Sequence, residues 1–319
     1  MNMKRFLLHL LLGTAITSMI FLISLQVPWV GMVISLLTPL PIMVLCNLWG
    51  LPGGILALLL GTLLVSALLD PFLGIIFFAE FGLLGIFLYY YLVGKALPWD
   101  QVIARSSLIV VAALAFLALL YGTATSSSLI DWVREQVHET GRSIVQIHPR
   151  GSTGDQILWI TSEKFTEFVL RILPSLVILT IWFEGFLNIA LFARIMRLDV
   201  FGRGRINMRL EFSTWTCPDR FVWGGIFGGV LILTKIPLLV TIGLNVTILL
   251  VAIYFLQGLA IVAFLFGKNN VPPGFRVIGY TLIGLIQFLF FLVVVLGLFD
   301  IWMNFRKLTP RVTVYKKSS

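Results

Sequence analysis

FLLHLLLGTAITSMIFLISLQVPWVGMVISLLTPLPIMVLCNLWGLPGGILALLLGTLLVSALL, residues 6–69, runs for 64 positions without an Asp, Glu, Lys or Arg. A helix needs about 20 apolar residues to cross a hydrocarbon core of about 30 Å, so this stretch alone is long enough for three crossings. Reading onward, apolar windows bounded by turn residues give nine candidate spans: 6–26, 29–48, 52–69, 72–93, 106–122, 171–193, 221–242, 246–266 and 277–299. The punctuation is Gln26-Val27-Pro28, Gly50-Leu51-Pro52, Asp70-Pro71, Leu97-Pro98-Trp99 and Asn269-Asn270-Val271-Pro272-Pro273-Gly274, each suited to a tight link. The fold expected is an all-α, polytopic bundle of eight or nine spans forming one membrane domain over residues 1–319.

The whole chain agrees with that stretch. It is 59% hydrophobic and 12% charged, with a mean hydropathy of +1.03, far from the usage of a soluble domain. The net charge of +9 lies in the short links between apolar runs, where membrane topology places Lys and Arg, so it points to lipid headgroups and not to nucleic acid. The two cysteines, Cys46 and Cys217, form neither a disulfide framework nor a zinc site. Lys4-Arg5 ahead of an apolar run resembles a signal peptide. No small-x-small cleavage site follows, however, and the run is expected to stay as the first helix.

Pro39 and Pro41 fall within the second window and remove two backbone donors at membrane depth, so a kink or a re-entrant segment is expected there unless other groups satisfy the freed carbonyls. Nine spans and an interior N-terminus would leave Arg306, Lys307, Arg311, Lys316 and Lys317 outside, against the charge rule, whereas eight would place both termini inside but move part of the arginine-rich link or the Lys95 link outside. The side of the C-terminus therefore stays open.

One substantial stretch, 123–170, is expected outside the membrane as an amphipathic helical insertion. Ile130, Val133, Val137 and Ile144 form an apolar stripe opposite Asp131, Arg134, Glu135, His138, Glu139 and Arg142, and Ser128 with Asp131 resembles a capping box. After the turn Gly151-Ser152-Thr153-Gly154 a second helical pattern runs into the sixth span. No internal repeat is evident.

Ionisable groups inside spans are costly and mark function by default. Glu80 lies in the fourth window and Glu184 in the sixth, with Asn188 one turn on; Lys235 lies in the seventh. Two carboxylates and an ammonium on separate helices could pair and line a polar pocket, and with Asn188 these four are the candidate ligand-binding residues. The alternative is a structural ion pair, or a lysine that snorkels to the interface. Asp70 and Asp300 at span ends suit capping, and Asn245, Gln257 and Gln287 suit interhelical hydrogen bonds.

Small residues at four-residue spacing form a second constellation. Gly13 and Thr17, then Gly53, Ala57 and Gly61, then Gly224 and Gly228 would let backbones approach closely, either within the bundle or at a docked partner. The links Arg194, Arg197, Arg203, Arg205 and Arg209 with Gly202 and Gly204 interleaved read as a topology signal and lipid contact. Glu135-x-x-His138 matches half of a carboxylate metal motif but sits on a charged face. No HExxH, G-x-S-x-G, phosphate-loop or haem-attachment pattern occurs, so neither an enzyme, a metal nor a cofactor is expected.

The C-terminal third carries a recognisable order of motifs. Trp215-Thr216-Cys217-Pro218, Val222-Trp223, Gly243-Leu244-Asn245, Tyr254-Phe255-Leu256-Gln257-Gly258-Leu259-Ala260 and Leu296-Gly297 through Asp300-Ile301-Trp302 to Phe305-Arg306 resemble the YybS-like family of uncharacterised bacterial multi-pass membrane proteins. The resemblance covers about residues 211–307. It implies a bacterial cell membrane location and a distant similarity to the S components of energy-coupling-factor transporters and to MreD-like shape proteins. The first would imply a small-molecule-binding subunit that docks on an energy-coupling module, and the second a non-catalytic envelope scaffold. The first is our reading and the second its alternative.

Overall fold

The computed structural model describes residues 3–124, 131, 133–140, 163–198 and 211–307, and among these the chain is helical with no strand. It packs as two units, Met1–Leu210 and Glu211–Ser319.

The first unit holds α1 (Met3–Gln26), α2 (Pro28–Ser35), α3 (Pro39–Leu68), α4 (Pro71–Gly94), α5 (Trp99–Ala124) and α6 (Glu163–Leu198). Proline sets three of these starts: Pro28, Pro39 and Pro71 each stand in the first turn, where a missing N–H costs nothing. At α4, Asp70 completes the start, its Oδ1 accepting from the Phe72 N–H at 2.7 Å. Met43, Leu84, Leu88, Val102 and Phe192 lie at the centre of one core, and Phe21, Ile42, Cys46, Leu58 and Phe77 of another.

Gly50 decides the path of α3. Its φ of +76° is left-handed, open to glycine and costly for other residues, and Pro52 follows two positions on. Leu45 and Ala57, which a straight helix would hold about 18 Å apart, belong to one cluster with Leu10 of α1. A Cβ on Gly54 would collide with the Cys46 sulfur. The chain thus doubles back at Gly50. Running one way, Leu45 meets Gly13, while on the return Gly61 lies beside Ser18 and Phe77.

Between α2 and α3 the helix is interrupted at Leu36–Thr38, as Pro39 and Pro41 require, and every freed carbonyl there finds a donor. Thr38 donates its hydroxyl to Ser35 O at 2.6 Å, Leu40 N–H goes to Leu37 O at 3.1 Å, and the Asn188 amide on α6 donates to Leu36 O at 2.7 Å.

The second unit opens with a 3₁₀ turn, Phe212–Thr214, followed by α7 (Phe221–Leu233), α8 (Pro237–Lys268), α9 (Pro273–Leu285) and α10 (Gln287–Met303). Helices α8 and α10 cross in van der Waals contact of their backbones. A Cβ on Gly258 would strike the Val293 carbonyl, and one on Gly297 the Tyr254 carbonyl. Between α9 and α10 the chain bends by 101° at Ile286.

By length and apolar composition six helices are candidate membrane spans, seven when the bent pair α9–α10 counts as one. The long helices are fewer than the nine sequence windows for two reasons. Windows 29–48 and 52–69 share α3 around the Gly50 turn, and window 221–242 is interrupted at Thr234–Ile236, leaving α7 with 13 residues, about 20 Å.

Of the amphipathic insertion, residues 131 and 133–140 are described and helical, with Val133 and Val137 half-buried and Arg134, Glu135 and Glu139 exposed. Arg134 and His138 both meet Glu163 at the start of α6, at 2.9 and 3.1 Å. Phe165, Phe168, Val169 and Ile172 of the second helical pattern do lie on α6, continuous with the sixth window. The Ser128 cap, Ile130, Arg142, Ile144, the Gly151–Gly154 turn, Ile157, Ile160, Gly202 through Arg209, and the tail charges Arg311, Lys316 and Lys317 lie outside the described residues.

Candidate functional site

The first unit gathers three of the four expected ligand residues. Glu184 sits on α6 deep in the unit, and neither of its carboxylate oxygens meets a donor. One turn on, Asn188 is fully buried and spends its amide N–H groups on Leu36 O and on Glu184 O, both at 2.7 Å. Those two bonds fix the amide's orientation, because a flip would set its oxygen against two carbonyls. Asn188 Oδ1 is consequently left facing away from them, buried and without a donor.

Glu80 comes from α4 and is half-buried. It lies in a π turn, Phe78–Gly82, where the helix takes an extra residue, a distortion frequent at functional sites. Its carboxylate is close enough to act electrostatically on Glu184. Helix α4 is held against the α2–α3 break by Gly85, where a Cβ would stand 2.9 Å from Pro39 O. Helix α5, packed on both α6 and the π turn, adds Ser106, fully buried with an unpartnered hydroxyl. The neighbouring Ser107 hydroxyl accepts from Trp182 Nε1 of α6 at 3.1 Å, fastening the two helices.

The α2–α3 turn and the π turn of α4 are thus both brought to the Glu184–Asn188 stretch of α6. Sequence reasoning flagged Glu80, Glu184, Asn188 and the Pro39/Pro41 break separately. What it missed was that the break and the carboxylates are joined through Asn188, along with the part played by Ser106 and Gly85. Only the proline pair carried a readable signal.

Lys235 belongs to the second unit. It occupies the break between α7 and α8, exposed and with φ at +60°. The window that placed it inside a span is interrupted at that residue.

The small-residue faces are taken up inside the two units. Gly13 abuts Leu45, Gly53 abuts Trp49 and Gly61 abuts Phe77, while Thr17 and Ala57 are buried. In the second unit Gly224 lies against Leu250, and Gly228 against Thr247 and the Gly243 carbonyl.

The second unit also brings the sequence motifs of residues 211–307 together. Asp300 pairs with Arg306 at 2.7 Å, both side chains buried. Arg306 further donates to Ser213 O and Trp215 O at 2.9 and 2.8 Å. Gln257 donates to Asp300 at 3.2 Å and accepts from Cys217 N–H at 3.1 Å. Phe305 N–H closes the group on Asp300 Oδ1 at 2.9 Å. Cys217, Gln257, Asp300 and Arg306 of those motifs thus hold the link before α7 to α8 and to the end of α10. The Cys217 thiol, buried beside Asp219, is pushed up to about 12, mainly by burial.

Long apolar helices with buried ionisable groups among them define a polytopic integral membrane protein. The comparison with family models agrees. The chain belongs to the family described as predicted membrane protein (DUF2232), whose model matches residues 15–301, well beyond the 211–307 region where motifs were recognised. Comparison with curated proteins and with solved structures found no match.

Proposed function

We propose that the chain is a ligand-binding membrane subunit of a transporter, its site formed by Glu184, Asn188 and Glu80 in the first unit. The observation that carries this reading is the Glu184 carboxylate, buried in an apolar helix with both oxygens unpartnered beside an equally unpartnered Asn188 Oδ1. Leaving such groups unsatisfied costs several kcal/mol apiece in hydrocarbon, roughly. A structural ion pair would have closed on itself, as Asp300 and Arg306 do. The Leu36–Thr38 turn supports the same reading, since its Leu36 carbonyl takes an Asn188 N–H and so leaves Asn188 Oδ1 free.

The finer topology belongs to this proposal. Residues 3–26, 28–49 and 51–68 make three successive crossings, which brings the total to eight or nine, and the membrane is that of a bacterial cell. Energy would come from a partner module. The alternative is a non-catalytic envelope scaffold acting through small-residue faces and the basic interior link; the cover that Gly13, Gly61 and Gly228 find within the chain favours the binding reading.

Gentle solubilisation followed by mass spectrometry of co-purifying proteins and released small molecules tests the proposal. An ATPase-containing module or a reproducible metabolite is expected. Envelope or cell-shape proteins with no metabolite would favour the scaffold instead.

A further inference from the structure

We propose that the ligand of the Glu184 site is a cation, either an alkali ion or the ammonium group of a small organic molecule; this rests on the binding reading above and adds the ligand's charge. The groups around the site set the ligand's charge. Glu184 offers two acceptor oxygens and Asn188 one, none with a donor. Asn188 cannot turn its N–H groups inward, because both are committed to carbonyls.

The charges point the same way. Among the described residues the one charged group acting on Glu184 is the Glu80 carboxylate, a like charge. From the α2–α3 break come Leu36, Leu37 and Thr38, all neutral. Helix α5 brings Arg105 next to Ser106, but its side chain is exposed and lies over the Tyr91 ring at 5.9 Å. Just past the end of α4, Lys95 is exposed and sits over Tyr90 at 5.6 Å. Among the described residues, the Glu184 carboxylate thus feels a second carboxylate and pairs with no cation.

An anion would meet acceptors and negative charge alone. A neutral apolar molecule would leave three oxygens unsatisfied. A single positive charge answers both deficits at once, by ion pairing and by occupying the acceptors. Oxygen ligands suit hard ions and ammonium groups. No group of three His, Cys, Asp or Glu side chains gathers among the described residues, so the donor set of a zinc-type ion is not assembled there.

The test uses full-length wild type, Glu184→Gln, Glu80→Gln and Asn188→Leu, purified from the same cells into phosphatidylcholine nanodiscs in a buffer whose only cation is a bulky quaternary ammonium. Sodium and potassium are measured by elemental analysis and organic ions by mass spectrometry. Wild type should retain one cation species, and each variant about tenfold less, equivalent to ~1.4 kcal/mol. Displacement by sodium chloride rather than methylammonium chloride tells an alkali ion from an organic ammonium. A wild-type-specific anion or neutral compound would overturn the charge assignment while leaving the binding reading intact. If no species is specific to wild type and folded Glu184→Gln is equally heat-stable, both fall, because the carboxyl then holds only a proton. Should Glu184→Gln fail to fold, the other two variants decide the same question.

Discussion

Asp300 and Arg306 show what a satisfied buried pair looks like in this chain, and that contrast gives Glu184 its meaning. Removing one partner, as in Arg306→Met, should cost about 3–5 kcal/mol by stranding a buried charge. The double variant Asp300→Leu/Arg306→Met should recover much of that loss, and thermal unfolding of the singles and the double measures the difference. Asn188→Ala should lower thermal stability by about 1–2 kcal/mol, since it uncaps Leu36 O at the helix break. Cys217 supplies a pH test. Its folded thiol is raised from 9.0 to about 12 by burial, so its contribution to stability is complete below pH 9.0 and declines as pH climbs toward the folded value. Maleimide should therefore leave Cys217 unmodified at pH 8 in the folded protein and label it after unfolding; rapid labelling of folded protein would contradict the burial. Much at this level was readable beforehand. Asp70 and Gln257 have the capping and interhelical roles their positions implied. Lys235 was misplaced because hydropathy averages over a window and does not register a three-residue break with one left-handed residue, Lys235 itself.

Helices were legible wherever apolar run and proline punctuation agreed, as at Pro71 and Trp99. The two breaks were half legible. Gly50-Leu51-Pro52 read as a link, and it is one, although the helical hydrogen-bonding pattern runs through it. Pro39 and Pro41 read as a kink, yet which group would satisfy the freed carbonyls depends on α6, about 150 residues away, and no local pattern encodes that. Crossing of α8 and α10 is the sharpest packing test. Gly297→Ala places a methyl onto backbone atoms that cannot rotate away and should lower the melting temperature by several degrees, an overpacking cost of about 1–3 kcal/mol. Gly229→Ala, where a Cβ meets nothing within 4 Å, should be tolerated or slightly stabilising. Equal melting temperatures for the two would contradict the close crossing.

For the molecule entire, membrane class was fixed by composition, whereas the path through the membrane needed contacts between distant residues. Single cysteines at Gln26, Leu51 and Leu69, probed with a membrane-impermeant reagent in intact and opened cells, report that path. If the chain doubles back at Gly50, Leu51 labels from the side of the N-terminus and both Gln26 and Leu69 from the other. A straight α3 would instead protect Leu51 and place Gln26 and Leu69 on opposite sides. Deeper in the first unit lies the proposed binding site, where α3, α4 and α5 pack with α6 near Glu184. An experimental density map of the full chain in nanodiscs, purified without stripping its ligand, tests this most directly. The account predicts non-protein density bounded by the Glu184 carboxylate, Asn188 Oδ1 and the Leu36–Thr38 break. Glu184 turned to lipid, or closed onto a donor of its own chain with no space beside it, would contradict it.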